Sequence, residues 1–220
     1  MPLMTRAICT TLLCLATSAV AHASTIVSVS GANAGGFELS AIQVVGASWT
    51  QTSNYADVSI TADLNGLTTD SVTAYLTTQI GPGTTSASEV AQATVALPGV
   101  LLQDVLLLQI PLLSSGTYYL TLYDPGNPNS AFDSWGDTAS ELIATDQGVT
   151  RNSDYAFTNF GGNPPAPYAP ATPFIVQSSA PGNPVLLYQV TGTPVPEPGT
   201  AGLLLVAVVG LMVWKRPAFC

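Results

Sequence analysis

VSITADL, residues 58–64, decides how this chain folds. Val58, Ile60, Ala62 and Leu64 fall on one side of an extended chain, and Ser59, Thr61 and Asp63 on the other. Successive side chains of a strand point to opposite faces, so this alternation predicts a strand with one buried and one wet face. SVTAYLTTQI (71–80) repeats it, setting Val72, Ala74, Leu76 and Ile80 against Ser71, Thr73, Tyr75 and Thr77. TYYLTLYD (117–124) sets Tyr118, Leu120 and Leu122 against Tyr119, Thr121 and Tyr123. STIVSVSG (24–31) and VLLYQVTG (185–192) also read as strands. VLLQDVLLLQIPLL (100–113) is more apolar and reads as a strand buried on both faces or a short helix. Pro111 disfavours a long helix, and the β-branched neighbours favour a strand.

The segments between these runs are made of turn formers: ADLNGLTTD, QIGPGTTS, YDPGNPNS, GGNPPAPYAP and SAPGNPV. Glycine supplies positive φ, proline fixes φ, and Asn and Asp tolerate left-handed geometry. Strand-length runs joined by such turns predict an all-β domain over residues 24–190. Its expected form is an antiparallel β-sandwich, jelly-roll-like, of roughly eight strands. No βαβ rhythm and no fixed-period repeat is present, which excludes a parallel sheet and a solenoid. Residues 160–173 read as an irregular proline-rich loop, and 191–198 as a linker.

Charge narrows the function classes. Charged residues are 8% of the chain, against ~25% in an average soluble protein. Arg151 is the one Lys or Arg between the terminal segments, and it faces all thirteen carboxylates of the chain. A surface that acidic repels phosphate backbones and anionic headgroups, so nucleic acid is not an expected partner. The only histidine is His22, and the three cysteines are Cys9, Cys14 and Cys220. The middle therefore has no imidazole, thiol or lysine, which removes Ser-His-Asp, Ser-Lys and Cys nucleophile chemistry. Zinc, copper and non-haem iron sites lose their usual ligands as well. No catalytic residue and no cofactor is expected.

Two kinds of site survive these exclusions. A carboxylate pair could hydrolyse a glycoside. Asp124, Asp133, Asp137 and Glu141 cluster around Trp135, which could stack on a sugar; alternatively the acids are solvated turn residues and Trp135 packs on a sheet edge. Calcium takes oxygen ligands, and Asp124, Asn127 and Asn129 lie close in sequence without matching an EF-hand loop. The same segment could bind glycan without cleaving it. Tyr75, Tyr119 and Tyr123 are candidates for a wet aromatic face, against which stands ordinary cross-strand pairing.

The two ends read as addresses. Arg6, the apolar run 7–20 and the small-x-small triplet Ala21-His22-Ala23 make up the three parts of a secretory signal peptide over 1–23. Cleavage is expected after Ala23. At the other end, residues 199–214 are apolar apart from Thr200. As a helix they span about 24 Å, against a hydrocarbon core of ~30 Å. Lys215 and Arg216 follow, so the positive-inside rule puts 215–220 in the cytoplasm and the sandwich outside.

Val195-Pro196-Glu197-Pro198, the short apolar segment and Lys215-Arg216 resemble the PEP-CTERM sorting signal of exopolysaccharide-producing Gram-negative bacteria. The resemblance implies that an exosortase recognises the tail and that these residues are substrate, not catalyst. It implies a route through signal peptidase and an inner-membrane intermediate to the cell surface or the extracellular space. Pro196 and Pro198 hold that segment extended, where a membrane protease reaches it. ASWTQTSNYADVSITADL (47–64), TAYLTTQIGPGT (73–84) and GTYYLTLYD (116–124) resemble the choice-of-anchor β-sandwich domains found upstream of such tails. This second resemblance implies a fold and a location. The reading is an exported, non-enzymatic matrix or surface protein, structural or adhesive, with extracellular polysaccharide as a partner. A carbohydrate-binding module, or a glycan hydrolase using an Asp/Glu pair, is the alternative.

Overall fold

The structure, a computed structural model, describes residues 22–66, 71–97, 99, 103–124, 126, 133–158, 175–176 and 184–196. They form two antiparallel sheets. The strands are β1 (Ser24–Ser30), β2 (Gly35–Glu38), β3 (Gln43–Gln51), β4 (Tyr55–Asn65), β5 (Ser71–Thr77), β6 (Glu89–Ala96) and β7 (Gln103–Leu113). There follow β8 (Gly116–Tyr123), β9 (Ser134–Thr138), β10 (Leu142–Thr145), β11 (Val149–Thr158), β12 (Ile175–Val176), β13 (Val185–Leu186) and β14 (Tyr188–Pro194). One 3₁₀ turn, Ser86–Ser88, is capped by the Thr85 hydroxyl. Sheet A runs β10-β1-β14-β4-β9-β13, with β7 on the other side of β4 and β2 on β9. Sheet B runs β12-β11-β3-β8-β5-β6.

The alternation of residues 58–64 places Val58, Ile60, Ala62 and Leu64 in the core and leaves Ser59, Thr61 and Asp63 on the outer face. Val72, Ala74 and Leu76 of β5 and Tyr118, Leu120 and Leu122 of β8 face them from sheet B. Four rings join the two layers. Trp49 lies 5.8 Å from Tyr118 and 6.3 Å from Tyr188, and Tyr188 lies 6.3 Å from Trp135. Both indole N–H groups are satisfied, Trp49 by Gln51 Oε1 (3.0 Å) and Trp135 by the Leu187 carbonyl (2.8 Å). A buried polar group without a partner would cost about 1–3 kcal/mol, so these bonds are part of why the rings can be buried.

The chain changes sheets where β3 passes to β4 and where β7 passes to β8, and these two corners are tied together. Gln51 Nε2 donates to the Ser53 and Ser114 carbonyls, and Asn54 Oδ1 accepts from the Ser115 N–H. At the corner where β10 of sheet A passes to β11 of sheet B, Gly148 takes φ +76°, a left-handed conformation that favours glycine.

Several expectations need correction. Fourteen strands are present among the described residues, not eight. Residues 100–113 supply strand β7 rather than a helix, and it is not buried on both faces. It pairs with β4, and Leu106 and Leu112 are 45% and 56% exposed. Pro111 fits this position because an edge strand loses no ladder bond to the missing N–H. The β5 ladder ends at Thr77, so Ile80 lies in the turn beyond it. VLLYQVTG is broken at Leu187: β13 pairs with β9, while β14 pairs with β1 and β4. β14 continues to Pro194, and the Val195 N–H donates to the Asn54 carbonyl at 2.9 Å. The sheet thus takes in the first half of the stretch 191–198, because Thr191 and Thr193 have partners on β4. Loop 160–173 lies outside the described residues, as do the apolar segments 7–20 and 199–214.

Candidate functional site

Three places gather polar or aromatic side chains. Each arises from a strand register.

The first lies between the sheets. β11 carries an extra residue against β3, so Arg151 pairs with Trp49 and Asp154 with Ala47. Trp49 and Ala47 both face the core. The irregularity therefore turns Arg151 and Asp154 inward together, three residues apart. Ser48 fills it, its Oγ accepting from the Ser153 N–H and donating to the Ser153 carbonyl. Arg151 Nη2 meets Asp154 Oδ2 at 2.8 Å, and the Leu186 N–H of sheet A donates to the same oxygen at 2.9 Å. Arg151 Nη1 lies 3.6 Å from Glu141 Oε2. Burial holds the Asp154 carboxyl above the usual range, and the Arg151 charge works against that rise. The sole cation of the domain is thus an internal clasp between the sheets.

The second is the outer face of sheet B. Strands β3, β5 and β8 contain no charged residue. Tyr155, Gly46, Thr121, Tyr75 and Gln92 are successive register partners across β11, β3, β8, β5 and β6. Tyr119 occupies the neighbouring row, between Ser48 and Thr77. Tyr119 and Tyr155 meet edge to face at 5.9 Å. Burial pushes the Tyr119 hydroxyl up, with Tyr155 adding to the rise. Hydroxyls fill the flank: Thr50 bonds Thr117 at 2.9 Å, and Asn152 Nδ2 donates to Thr50 at 3.0 Å. Tyr75, Tyr119 and Tyr155 are half-buried, whereas Tyr123 is buried beside Asp124 and leaves the wet set. Sequence reading missed Tyr155; its place became visible only with the β11–β3 register.

The third is a cleft of about 290 Å³ on sheet A, lined in part by Ser28, Ser30, Asp63, Asp104 and Gln189. Asp63 and Asp104 stand directly opposite each other across β4 and β7. Burial, and after it the neighbouring Asp104 carboxyl, lift Asp63 to about 6. Neither residue was picked out from the sequence, since nothing local pairs position 63 with position 104.

The acidic cluster around Trp135 is not the surface site that its spacing suggested. Trp135 is fully buried, pairs in register with Leu64 and Phe37, and cannot stack on a sugar. Asp124, Asp133 and Asp137 are buried too, so they are not solvated turn acids either. Asp124 Oδ1 accepts from the Gly126 N–H at 2.8 Å, and burial raises the Asp137 carboxyl. Glu141 is the Arg151 partner already described. Asn127 and Asn129 lie outside the described residues. No group of three His, Cys, Asp or Glu suited to a metal occurs among those that are described.

At the ends, Ala23 is exposed and β1 starts directly after it. Ser24 pairs with Gly192, so β1 begins and β14 ends at one pole of the sandwich. Val195 is half-buried and Pro196 exposed. Ala21, Glu197, Pro198, Lys215 and Arg216 lie outside the described residues.

The fold defines a two-sheet, antiparallel all-β protein. Comparison of the chain with protein-family models, with curated proteins and with solved structures finds no match.

Proposed function

We propose that this chain is an exported, non-enzymatic β-sandwich, jelly-roll-like in class, that binds a neutral polysaccharide through the outer face of sheet B. The observation that carries the reading is the set Tyr75 and Tyr119, on strands β5 and β8 without charge, and Tyr155 of β11, whose two charged residues Arg151 and Asp154 turn inward. Tyrosine rings offer apolar faces to sugar rings and a hydroxyl to their edges. The half-buried Thr50 and Thr117 hydroxyls on the flank donate and accept, as sugar hydroxyls require, whereas Ser48, Thr73, Thr77 and Thr121 are buried. Central strands without charge also suit an uncharged chain in a protein whose net charge of −9 repels acidic ones.

The hydrolase alternative gains less. Retaining glycosidases hold their carboxyls ~5–5.5 Å apart and inverting ones ~6.5–9.5 Å. The acids grouped around Trp135 do not supply such a pair at a surface, since Asp124, Asp133 and Asp137 are buried and Glu141 faces Arg151.

Export and sorting complete the proposal. Residues 1–23 are the signal peptide, and 199–214 hold the chain in the inner membrane until an exosortase acts near residues 195–198. β1 starts and β14 ends at one pole of the sandwich, so the chain enters and leaves the described strands on the same side. The Asp63 cleft then lies at the pole away from the membrane.

Native gel electrophoresis through an immobilised neutral glucan tests the binding. The wild-type chain is expected to be retarded, and a Tyr119→Ala/Tyr155→Ala variant with an unchanged far-ultraviolet spectrum is expected to run free. Equal mobility of the two chains would sink the glycan reading. The sorting reading is tested separately by replacing Pro196-Glu197-Pro198 with alanines and measuring intact mass and cell fraction. An unaltered mass and location would leave the tail as an anchor alone.

A further inference from the structure

We propose that Asp63 and Asp104 form a proton-operated latch between β4 and β7. One shared proton holds the first residues of β7 against β4 in mild acid, and its loss lets those rungs part. The proposal is independent of the glycan reading.

The geometry is specific. Asp63 and Asp104 are paired in register on the outer face of sheet A, with Ala62–Val105 and Leu64–Gln103 as adjacent rungs. Residue 104 is the second residue of β7, so few rungs lie beyond it to hold the strand end. Like charges directly opposite in a sheet destabilise the pair. The groups that share the cleft are Ser28 and Ser30 from β1 and Gln189 from β14, none of them charged. On β4 itself the same face carries Thr61 and Asn65. Among the described residues the only charged group facing Asp63 is therefore Asp104. The one Lys or Arg among the described residues, Arg151, is engaged in the interior by Asp154.

When the cleft takes up a proton from water, one carboxyl becomes a donor and the other remains an acceptor. The repulsion is then replaced by a charge-assisted hydrogen bond. Asp63 titrates near 6 in the folded chain, above its ordinary 3.8, chiefly because of burial and then because of Asp104. A raised carboxyl favours the folded state in its protonated form. Its contribution is complete below about pH 4 and is lost as pH rises through about 6. The window lies within mildly acidic surroundings. The segment it governs is an edge strand bearing the exposed Leu106 and Leu112.

Amide hydrogen exchange of the full chain, in buffer with a chelator, reads the latch directly. After correction for intrinsic rates, peptides spanning Gln103–Leu106 should exchange roughly tenfold faster at pH 7.5 than at pH 4.5. This is the size of about one pKa unit of differential interaction, allowing for solvent screening. Peptides from β8 should not change. Asp63→Asn and Asp104→Asn should each abolish the difference, because an amide bonds the remaining carboxylate at either pH. A wild-type chain without the step, or an Asp63→Asn chain that keeps it, overturns the proposal.

Discussion

The two sheets use the same alternation and finish with different outer faces. Sheet A places Asp63 and Asp104 there, among serine, threonine and glutamine. The central strands of sheet B carry tyrosine, threonine and serine there, and no charge. The interior follows a third rule, with one ion pair clasping the sheets. The difference teaches where a cation-poor chain can hold its carboxylates. Asp154 is buried because Arg151 is beside it. Burial raises both carboxyls, but the Arg151 charge opposes the rise at Asp154, while Asp104 adds to the rise that takes Asp63 to about 6.

Removing the cation should therefore have the largest effect. Arg151→Ala leaves Asp154 buried without a counter-charge, an arrangement that costs about 3–5 kcal/mol. Urea unfolding should show that loss, together with weaker contact between β11 and β13. Arg151→Met with Asp154→Leu should recover part of it, since neither member of the clasp is then charged. The recovery is incomplete because the Leu186 N–H still loses its acceptor. A single variant within 1 kcal/mol of wild type, a surface-pair value, would show that the clasp is solvated.

How much of this was legible depended on whether the signal was local. Val58 to Leu64 sort themselves by period two and the structure follows that sorting, whereas in β8 Tyr118, Leu120 and Leu122 are buried as read but Thr121, expected on the wet face, is buried as well. The edge position of β7 was less legible, because a run rich in leucine looks alike whether one face or both are covered. The Arg151–Asp154 clasp depends on an irregularity in register, and spacing alone put Arg151 and Asp154 on opposite faces. The Asp63–Asp104 contact depends on pairing between distant segments. Trp135 misled for a related reason: its acidic neighbours suggested a wet turn, but β9 carries the indole into the core. Proximity in sequence showed which residues were polar, while burial was decided by strands from elsewhere.

The sheet B face can be disturbed without touching a tyrosine. A Cβ at Gly46 would lie 2.8 Å from the Leu120 carbonyl oxygen and 2.9 Å from Thr121 Cγ2. The first of these is backbone, so β3 and β8 must separate to admit it. Gly46→Ala should cost about 1–3 kcal/mol, the usual range for overpacking. It should also shift Thr121 and with it the row that holds Tyr155 and Tyr75. Thermal unfolding reads the first effect, and mobility through immobilised neutral glucan the second. Loss of stability with full retention of glucan binding would separate the row from the binding face.

The smallest expected effect concerns how sheet A keeps its alternation. Tyr55 and Val58 both face the core although they stand three positions apart. Strict period two forbids this, and the chain resolves it at Asp57, which takes φ +50°. β7 slips in step, since Ile110 and Leu113 are also both buried at a spacing of three. Aspartate tolerates the left-handed region better than most residues, and a β-branched side chain tolerates it poorly. Asp57→Gly should therefore stay within about 0.5 kcal/mol of wild type, relief of strain offsetting the greater entropy of the unfolded chain. Asp57→Ile should lose about 1–2 kcal/mol by the same reasoning. Denaturant midpoints of the two variants measured side by side give the answer. If isoleucine is accepted as readily as glycine, another residue carries the phase change, and the inward position of both Tyr55 and Val58 needs a different cause.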